Sequence, residues 1–218
     1  MIKAKIDIKI LSPQIPEVLE NLDISSKDIQ DEDLFNMSTI SDCYIEEQRA
    51  DKVRFENIIF ENVIFVDVFF NALELTDVKF INCDLSNINL RGAIIHRVEF
   101  IDCKMMGANF IDGTFRNVLF DNCNLSYSNF RVSNFKQVIF TNSLLKNADF
   151  QEAEFSKIGF VDNNMKEVQM IGTKLKDIDF SSCDIEGMGA RIEDLRGAIV
   201  SNVQVIGFVG LLGLVIKE

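Results

Sequence analysis

The chain of 218 residues has no tryptophan, two tyrosines, one histidine and two prolines, Pro13 and Pro16. A single histidine rules out sites built from several imidazoles. His96 falls on an outward or corner position beside Arg97, where a solvated side chain is expected rather than an acid–base catalyst. The five cysteines include no Cys-x-x-Cys pair, and no histidine accompanies them, so buried reduced thiols are expected in place of a metal or redox centre. Gly207, Gly210 and Gly213 follow no strand and lie among apolar residues, which points to close helix packing instead of a phosphate cradle. The acidic residues form no paired-carboxylate motif. No catalytic, cofactor or metal site is expected.

Positive charge is also scarce. Lys and Arg number 22 against 34 Asp and Glu, a formal net charge of -12, with a pI near 4.6. Direct nucleic-acid binding needs clustered Lys and Arg to neutralise phosphate, so it is disfavoured, and basic partners are preferred. Residues 1–53 hold 12 acidic and 6 basic side chains and residues 54–190 hold 19 and 13, so a short leader and a long body carry equal excesses. The longest apolar stretch, Val203 to Ile216, contains Gln204 and falls well short of the roughly 20 residues that span a bilayer. Met1 to Leu11 alternates apolar and charged residues and lacks the apolar block of a signal peptide. A cytoplasmic protein without membrane contact is expected.

What the chain does have is a large apolar residue at every fifth position from Phe55 to Ile185, 27 positions without a miss. All but Phe69 and Phe208 of its phenylalanines fall on multiples of five. A helix needs a period near 3.6 and a half-buried strand a period of 2, so a strict five is an internal repeat. A repeat that crosses most of the chain argues for one continuous body.

The residue two before each central one is also apolar or small, as in Val53, Ile58, Val63, Val68, Cys83, Ile88 and Ala93. Two of every five side chains therefore point inward. Asn62, Asn82, Asp102, Asn122, Asn142, Asp162 and Ser182 take the corner positions, and these residue types satisfy tight turns with their own side chains. The number of sides per coil follows from which residues share a type. At a spacing of twenty, Phe60, Phe80, Phe100, Phe120, Phe140, Phe160 and Phe180 form one column, and the β-branched Ile58, Val78, Val98, Val118, Val138, Ile158 and Ile178 form another. All five cysteines, Cys43, Cys83, Cys103, Cys123 and Cys183, share a third. A period of fifteen scatters these sets, so the coil has four sides of five residues. From Phe35 to Ile185 this makes nearly eight coils, and at about 4.8 Å per rung the rod is roughly 37 Å long.

Before the repeat, residues 2–10 alternate as a half-buried strand that could cover the open end of the rod. Pro13 and Pro16 break it, Glu17 to Leu22 suggests a short helical turn, and residues 23–53 read as one or two imperfect opening coils. After Ile185 the register fades. Ser201 can cap a helix reaching about Leu212, with Gly213 as its stop and an extended end beyond. That segment is apolar on nearly all sides, through Val203, Val205, Ile206, Phe208, Val209, Leu211, Leu212, Leu214, Val215 and Ile216, so a second copy of the chain is its expected cover. The expected divisions are a leader or cap (1–34), a repeat body (35–190) and a C-terminal dimerisation segment (191–218).

The fives Cys83-Asp84-Leu85, Ala108-Asn109-Phe110, Cys123-Asn124-Leu125, Ser128-Asn129-Phe130, Ser133-Asn134-Phe135 and Ala148-Asp149-Phe150 resemble the pentapeptide-repeat consensus: a small residue, Asp or Asn, Leu or Phe, then two variable residues. The resemblance covers well over half the chain. It implies an all-β solenoid, a right-handed quadrilateral β-helix, in agreement with the period of twenty. The leader around Pro13 and Pro16, the long body and the closing Leu211-Leu212-Gly213-Leu214-Val215-Ile216 resemble the Qnr type of quinolone-resistance proteins, in particular Gram-positive chromosomal forms. That resemblance implies a non-catalytic homodimeric rod that binds DNA gyrase or topoisomerase IV, partly by DNA mimicry, and protects the enzyme from quinolones. The alternative is a pentapeptide-repeat scaffold for another protein partner. Many members of the type carry loops between coils, and here no insertion breaks the register between Phe55 and Ile185. Duplex DNA carries about one charge per 1.7 Å, or roughly 20 over this length, far more than the net charge of the body. Recognition would then rest on shape and on selected corner acids, for which Asp67, Asp77, Asp102, Asp112, Asp162 and Asp177 are candidates.

Overall fold

A computed structural model describes residues 8–212 of the chain. A parallel eight-stranded sheet runs the length of the molecule in the order β1 (Glu20–Asn21), β2 (Leu34–Ser41), β5 (Arg54–Glu61), β8 (Glu74–Ile81), β9 (Ile94–Ile101), β10 (Thr114–Asp121), β11 (Asn134–Thr141) and β12 (Glu154–Val161). Two smaller walls pair β3 (Tyr44–Glu46) with β6 (Ile64–Val66) and β4 (Arg49–Asp51) with β7 (Phe69–Asn71). Every pairing is parallel, and from β2 onward the register is twenty, for example Phe60 with Phe80 and Phe100 with Phe120, whereas β1 meets β2 at a spacing of eighteen, Glu20 with Ser38. Over the described residues the chain is an all-β solenoid of about seven turns with one short C-terminal helix.

The expected inward positions are the buried ones, except that Cys43 and Phe155 are only partly covered. The rings of Phe60, Phe80, Phe100, Phe120 and Phe140 stack at centroid spacings of 4.7, 4.9, 4.8 and 4.6 Å, with interplanar angles of 9° or less. The strand spacing sets this distance, which is why each ring lies flat on the next in place of the offset or edge-on geometry that isolated aromatic pairs prefer. Phe110 meets Phe115 of the adjacent side edge to face and Phe130 meets Phe120 of the opposite side in the same way, so the lumen is filled from all around. Each buried ring contributes about 1.5–3 kcal/mol relative to exposure. No buried side-chain nitrogen or oxygen among the described residues lacks a hydrogen-bond partner.

The corners follow the five-residue unit. Asn57, Asn62, Asp67 and Ala72 all have φ between 50° and 56°, the left-handed region, and the same holds at matching positions of later coils. From Leu85 onward two of the four corners close as hydrogen-bonded turns, as in Ile88 N–H to Leu85 O (3.3 Å) and Ala93 N–H to Leu90 O (3.2 Å). The residue before the central one helps to close them: Asp84 Oδ1 accepts Ser86 N–H at 3.0 Å and Asn124 Oδ1 accepts Ser126 N–H at 3.1 Å. The main sheet instead continues as strand through its corner.

The ends of the rod differ from the sequence reading in four respects. Ile24 and Ile29 are buried in the core, so the solenoid begins before Phe35, with one extra residue between Ile29 and Phe35. Glu20–Asn21 pairs with β2 as a strand and is not a helical turn, because the edge of the first rung offers it free backbone partners. At the other end the pairing continues past residue 190: Ile199 bridges to Asp179, and Ile199 N–H donates to Ile178 O. The C-terminal helix is shorter than expected, Val205–Phe208 as α-helix (α1) continued by a 3-10 turn at Val209–Leu212. Ser201 stands before it with its carbonyl accepting Val205 N–H, while Gln204 Oε1 accepts Ser201 N–H at 2.6 Å. Gly213 and the extended end beyond it lie outside the described residues.

Candidate functional site

A lumen packed with side chains leaves the outer walls, the corners and the two ends to meet other molecules. The six candidate acids all sit at corners with positive φ, yet they do not form one patch. Asp102 and Asp162 share one corner column, Asp77 and Asp177 a second, Asp67 lies on a third and Asp112 on the fourth. Five of the six are exposed, and Asp77 is buried, with 6% of its surface accessible. In the column of Asp102 the corner side chains form a ladder between coils: Asn62 Nδ2 donates to Asp42 Oδ1 (2.8 Å), Asn82 to Asn62 (2.7 Å) and Asn122 to Asp102 (2.6 Å).

Asp77 is buried because the leader lies over it. Residues 8–10 neither form a strand nor cap the end of the rod, and residues 1–7 lie outside the described residues. The segment instead runs lengthwise along one edge as an extended strap. Gln137 Nε2 donates to Lys9 O (3.0 Å), Leu11 N–H donates to Asn117 Oδ1 (3.2 Å), Gln14 N–H donates to Asp77 Oδ1 (2.8 Å) and Asn57 Nδ2 donates to Gln14 O (2.8 Å). The four rod residues belong to one corner column and differ by multiples of twenty. From Lys9 to Gln14 an extended chain reaches about 17 Å, close to the roughly 14 Å of three rungs. The strap therefore descends the rod against the direction in which the coils are wound. Sequence reasoning missed this site. Its signal is the run Asn57, Asp77, Arg97, Asn117, Gln137, the polar corner column opposite which the leader could satisfy its backbone.

Arg97 fills the remaining rung of that column and holds the Asp77 carboxylate in a two-point ion pair, from Nε to Oδ1 and from one terminal nitrogen to Oδ2. Burial alone would raise the Asp77 carboxyl, but the Arg97 hydrogen bonds, the Gln14 N–H and the nearby positive charge outweigh it and hold the group below the ordinary carboxylate value. The fourfold spacing of the column therefore brings a charged pair under the strap. His96 Nε2 lies 3.2 Å from the Arg97 guanidinium. Burial, with the charges of Arg97 and Arg116, pushes its imidazole below 6.5.

The cysteines lie where the period of twenty puts them. Cys83, Cys103, Cys123 and Cys183 are buried, Cys43 is partly open, and all five are free. The thiols of Cys83, Cys103 and Cys123 reach backbone carbonyls at 3.3–3.5 Å. Stacking against Cys123, together with burial, pushes the Cys103 thiol up to about 12, and contact with Cys103 and burial push Cys83 higher still. Among the described residues no three metal-ligating side chains come together, and no helix is long and apolar enough to cross a membrane.

At the C-terminal end Val203 is 80% exposed, Ile206 59% and Val205 50%, with Leu211 exposed as well. Phe208 alone packs in part against the core, and Val209 is half-buried. The side chain of Leu212, and Leu214, Val215 and Ile216, lie outside what is described. Between this segment and the last coil is a cleft of about 570 Å³, with Cys183, Met188, Gln204 and Phe208 among its lining residues. Gln204, the polar residue of the apolar stretch, donates through Nε2 to Cys183 O (2.7 Å) and to Phe180 O (2.9 Å), which also accepts Cys183 N–H, and so ties the segment to the backbone of the last coils.

Residues 73–150 match the family model described as the pentapeptide repeat region. None of the curated proteins compared with the chain matches it. Among solved structures, a trypsin-treated form of QnrB1, a plasmid-mediated fluoroquinolone resistance protein, is 18% identical over 87% of this chain and 98% of its own, with a TM-score of 0.41. HetL, a pentapeptide repeat protein involved in heterocyst differentiation regulation from the cyanobacterium Nostoc sp. strain PCC 7120, is 13% identical over 79% of this chain and 91% of its own, with a TM-score of 0.49. The match is thus to a pentapeptide repeat region at the centre of the solenoid, and the same five-residue unit continues through the coils on both sides.

Proposed function

We propose that the rod is a non-catalytic binding protein of type II topoisomerases, DNA gyrase or topoisomerase IV, and that as a homodimer it lowers quinolone susceptibility by partial DNA mimicry. The reading starts from the resemblance of the layout to the Qnr type. The observation that carries it is the uncovered apolar end at Val203, Val205, Ile206 and Leu211, on a rod whose other exposed corners are largely polar. Two rods joined there bury that end and form a longer acidic cylinder. Asp67, Asp102, Asp112, Asp162 and Asp177 remain candidates to meet the partner, and Asp77 is withdrawn because the strap and Arg97 occupy it.

A gyrase supercoiling assay with ciprofloxacin, with and without the purified protein, tests the reading. Rescue of supercoiling, or inhibition by the protein alone, supports it, and neither effect at any concentration removes it. The second reading, a scaffold for another protein partner, is favoured by the five-residue register, unbroken from Phe55 to Ile185, which leaves no loop between those coils to reach into an enzyme. The same assay separates the two, since a scaffold for another partner leaves gyrase unaffected.

A further inference from the structure

The strap is bound in an unusual way for a segment of the same chain. All four of its hydrogen bonds to the rod join its backbone to rod side chains. None of residues 8–18 is buried, and Ile8, Ile10, Pro13, Ile15 and Pro16 are only half-covered. The rod side of the contact is the more committed one. Asn117 is 3% exposed and Asp77 6%, whereas Met37, Lys157 and Asp177, on the same column beyond the reach of the strap, are exposed. A segment with no buried anchor belongs to the least stable part of a fold. The edge beneath it offers donors and acceptors at a fixed spacing that reads main chain and half-covers alternate side chains, which is how extended peptides are recognised.

We propose that the edge formed by Asn57, Asp77, Asn117 and Gln137 is a peptide-binding site. In the free protein it is held by the chain's own residues 8–16, and it exchanges them for an extended segment of a partner protein that carries apolar side chains at the spacing of Ile8, Ile10, Pro13 and Ile15. The leader is then a tethered competitor, and its local concentration sets the threshold a partner must exceed. This site is independent of the topoisomerase reading, since it depends only on the geometry of the edge.

The experiment uses the full chain and a fluorescein-labelled peptide of residues 8–16, followed by anisotropy. Ile10→Asp with Ile15→Asp weakens the strap at half-exposed positions and leaves the lumen untouched. The peptide is expected to bind this variant at least tenfold more tightly than the unaltered protein. Adding Asn57→Gly, Asn117→Gly and Gln137→Gly removes the edge amides and keeps the left-handed backbone free of strain, and is expected to lower binding at least tenfold. Failure to bind the strap-weakened variant, equal binding to both proteins, or binding unchanged by the glycines overturns the proposal. Amide hydrogen exchange of the unaltered protein gives a second measurement that no variant can compromise. Leu11 and Gln14 are expected to exchange at least a hundredfold faster than Phe120, and protection equal to that of Phe120 overturns the proposal.

Discussion

The two corner columns that run through residues 57 and 87 are made from the same five-residue unit and turn in different ways. At the first, the strand passes through the corner and pairs with its neighbours on both sides, Phe55 with Leu75 and Ile58 with Val78. At the second, from Leu85 onward, a backbone hydrogen bond closes a turn, as in Ser128 N–H to Leu125 O at 3.1 Å. The residues differ accordingly. The first column is followed by β-branched Ile58, Val78, Val98, Val118 and Val138, which suit an extended backbone. The second is preceded in most coils by an Asp or Asn that accepts the N–H two residues on, as Asp84 and Asn124 do. One repeat thus builds a continuous wall on one side, along whose edge the strap lies, and a row of tight independent corners on the other.

The largest break in this comparison would remove the support both corners share. Phe120→Asp puts a carboxylate between the rings of Phe100 and Phe140, at a cost of about 5 kcal/mol or more, and the rod is expected to unfold. Loss of the cooperative thermal transition in circular dichroism would show it, and a melt like the parent's would contradict it. Smaller is the effect of Arg97→Ala, which leaves buried Asp77 without its cation on the strap side. A loss of about 2 kcal/mol is expected in urea unfolding.

The same pair predicts the pH response. Because the folded Asp77 carboxyl lies below its ordinary value of 3.8, its contribution is fully present above that value and is lost as pH falls through the folded value. Unfolding midpoints compared between the parent and Asp77→Asn should converge below pH 3.8 and diverge above it. His96 works in the opposite sense of charge with the same slope: its folded value is below 6.5, so the unfolded chain takes up a proton first and stability declines as pH drops below 6.5. His96→Gln should flatten that decline.

The least expected effect is on the turn side. Asn124→Leu removes one acceptor at the corner and should cost about 0.5–1 kcal/mol, because Leu144, one coil later, sits before a turn that closes all the same, Ala148 N–H to Leu145 O at 3.0 Å. The cysteine column offers a readout of coil integrity. In the native rod an aromatic disulfide reagent should modify partly open Cys43 and leave the other four until denaturant is added.

Most of the architecture was legible before any coordinates. The period of five named the inward positions, the period of twenty named the stacked ones, and the residues read as inward from Phe35 to Ile185 are the buried core, with Cys43 and Phe155 only partly covered. The ends were not legible, because Ile24 and Ile29 join the solenoid one residue off the strict register, while Ile199 keeps the spacing of twenty to Asp179 after the apolar pattern has faded. The candidate acids were individually recognisable as corner residues. Their distribution over four columns follows from their numbers as well, but the burial of Asp77 does not.

The sequence by itself determined the coil, its four sides and the content of its lumen, because identical environments repeat every twenty residues and burial selects the same kind of side chain at each. Only the tertiary structure decided how each corner turns and where the leader goes. Lys104, Leu144 and Gln169 precede closed turns without an Asx side chain, whereas Asn134 possesses one and stays in a strand. The reason is that each rung copies the backbone of the rung beneath it through its ladder of hydrogen bonds, and that ladder outweighs one local side-chain bond. The strap obeys the same logic: its backbone has no partners of its own, and it settles where a column of amides and a carboxylate supplies them.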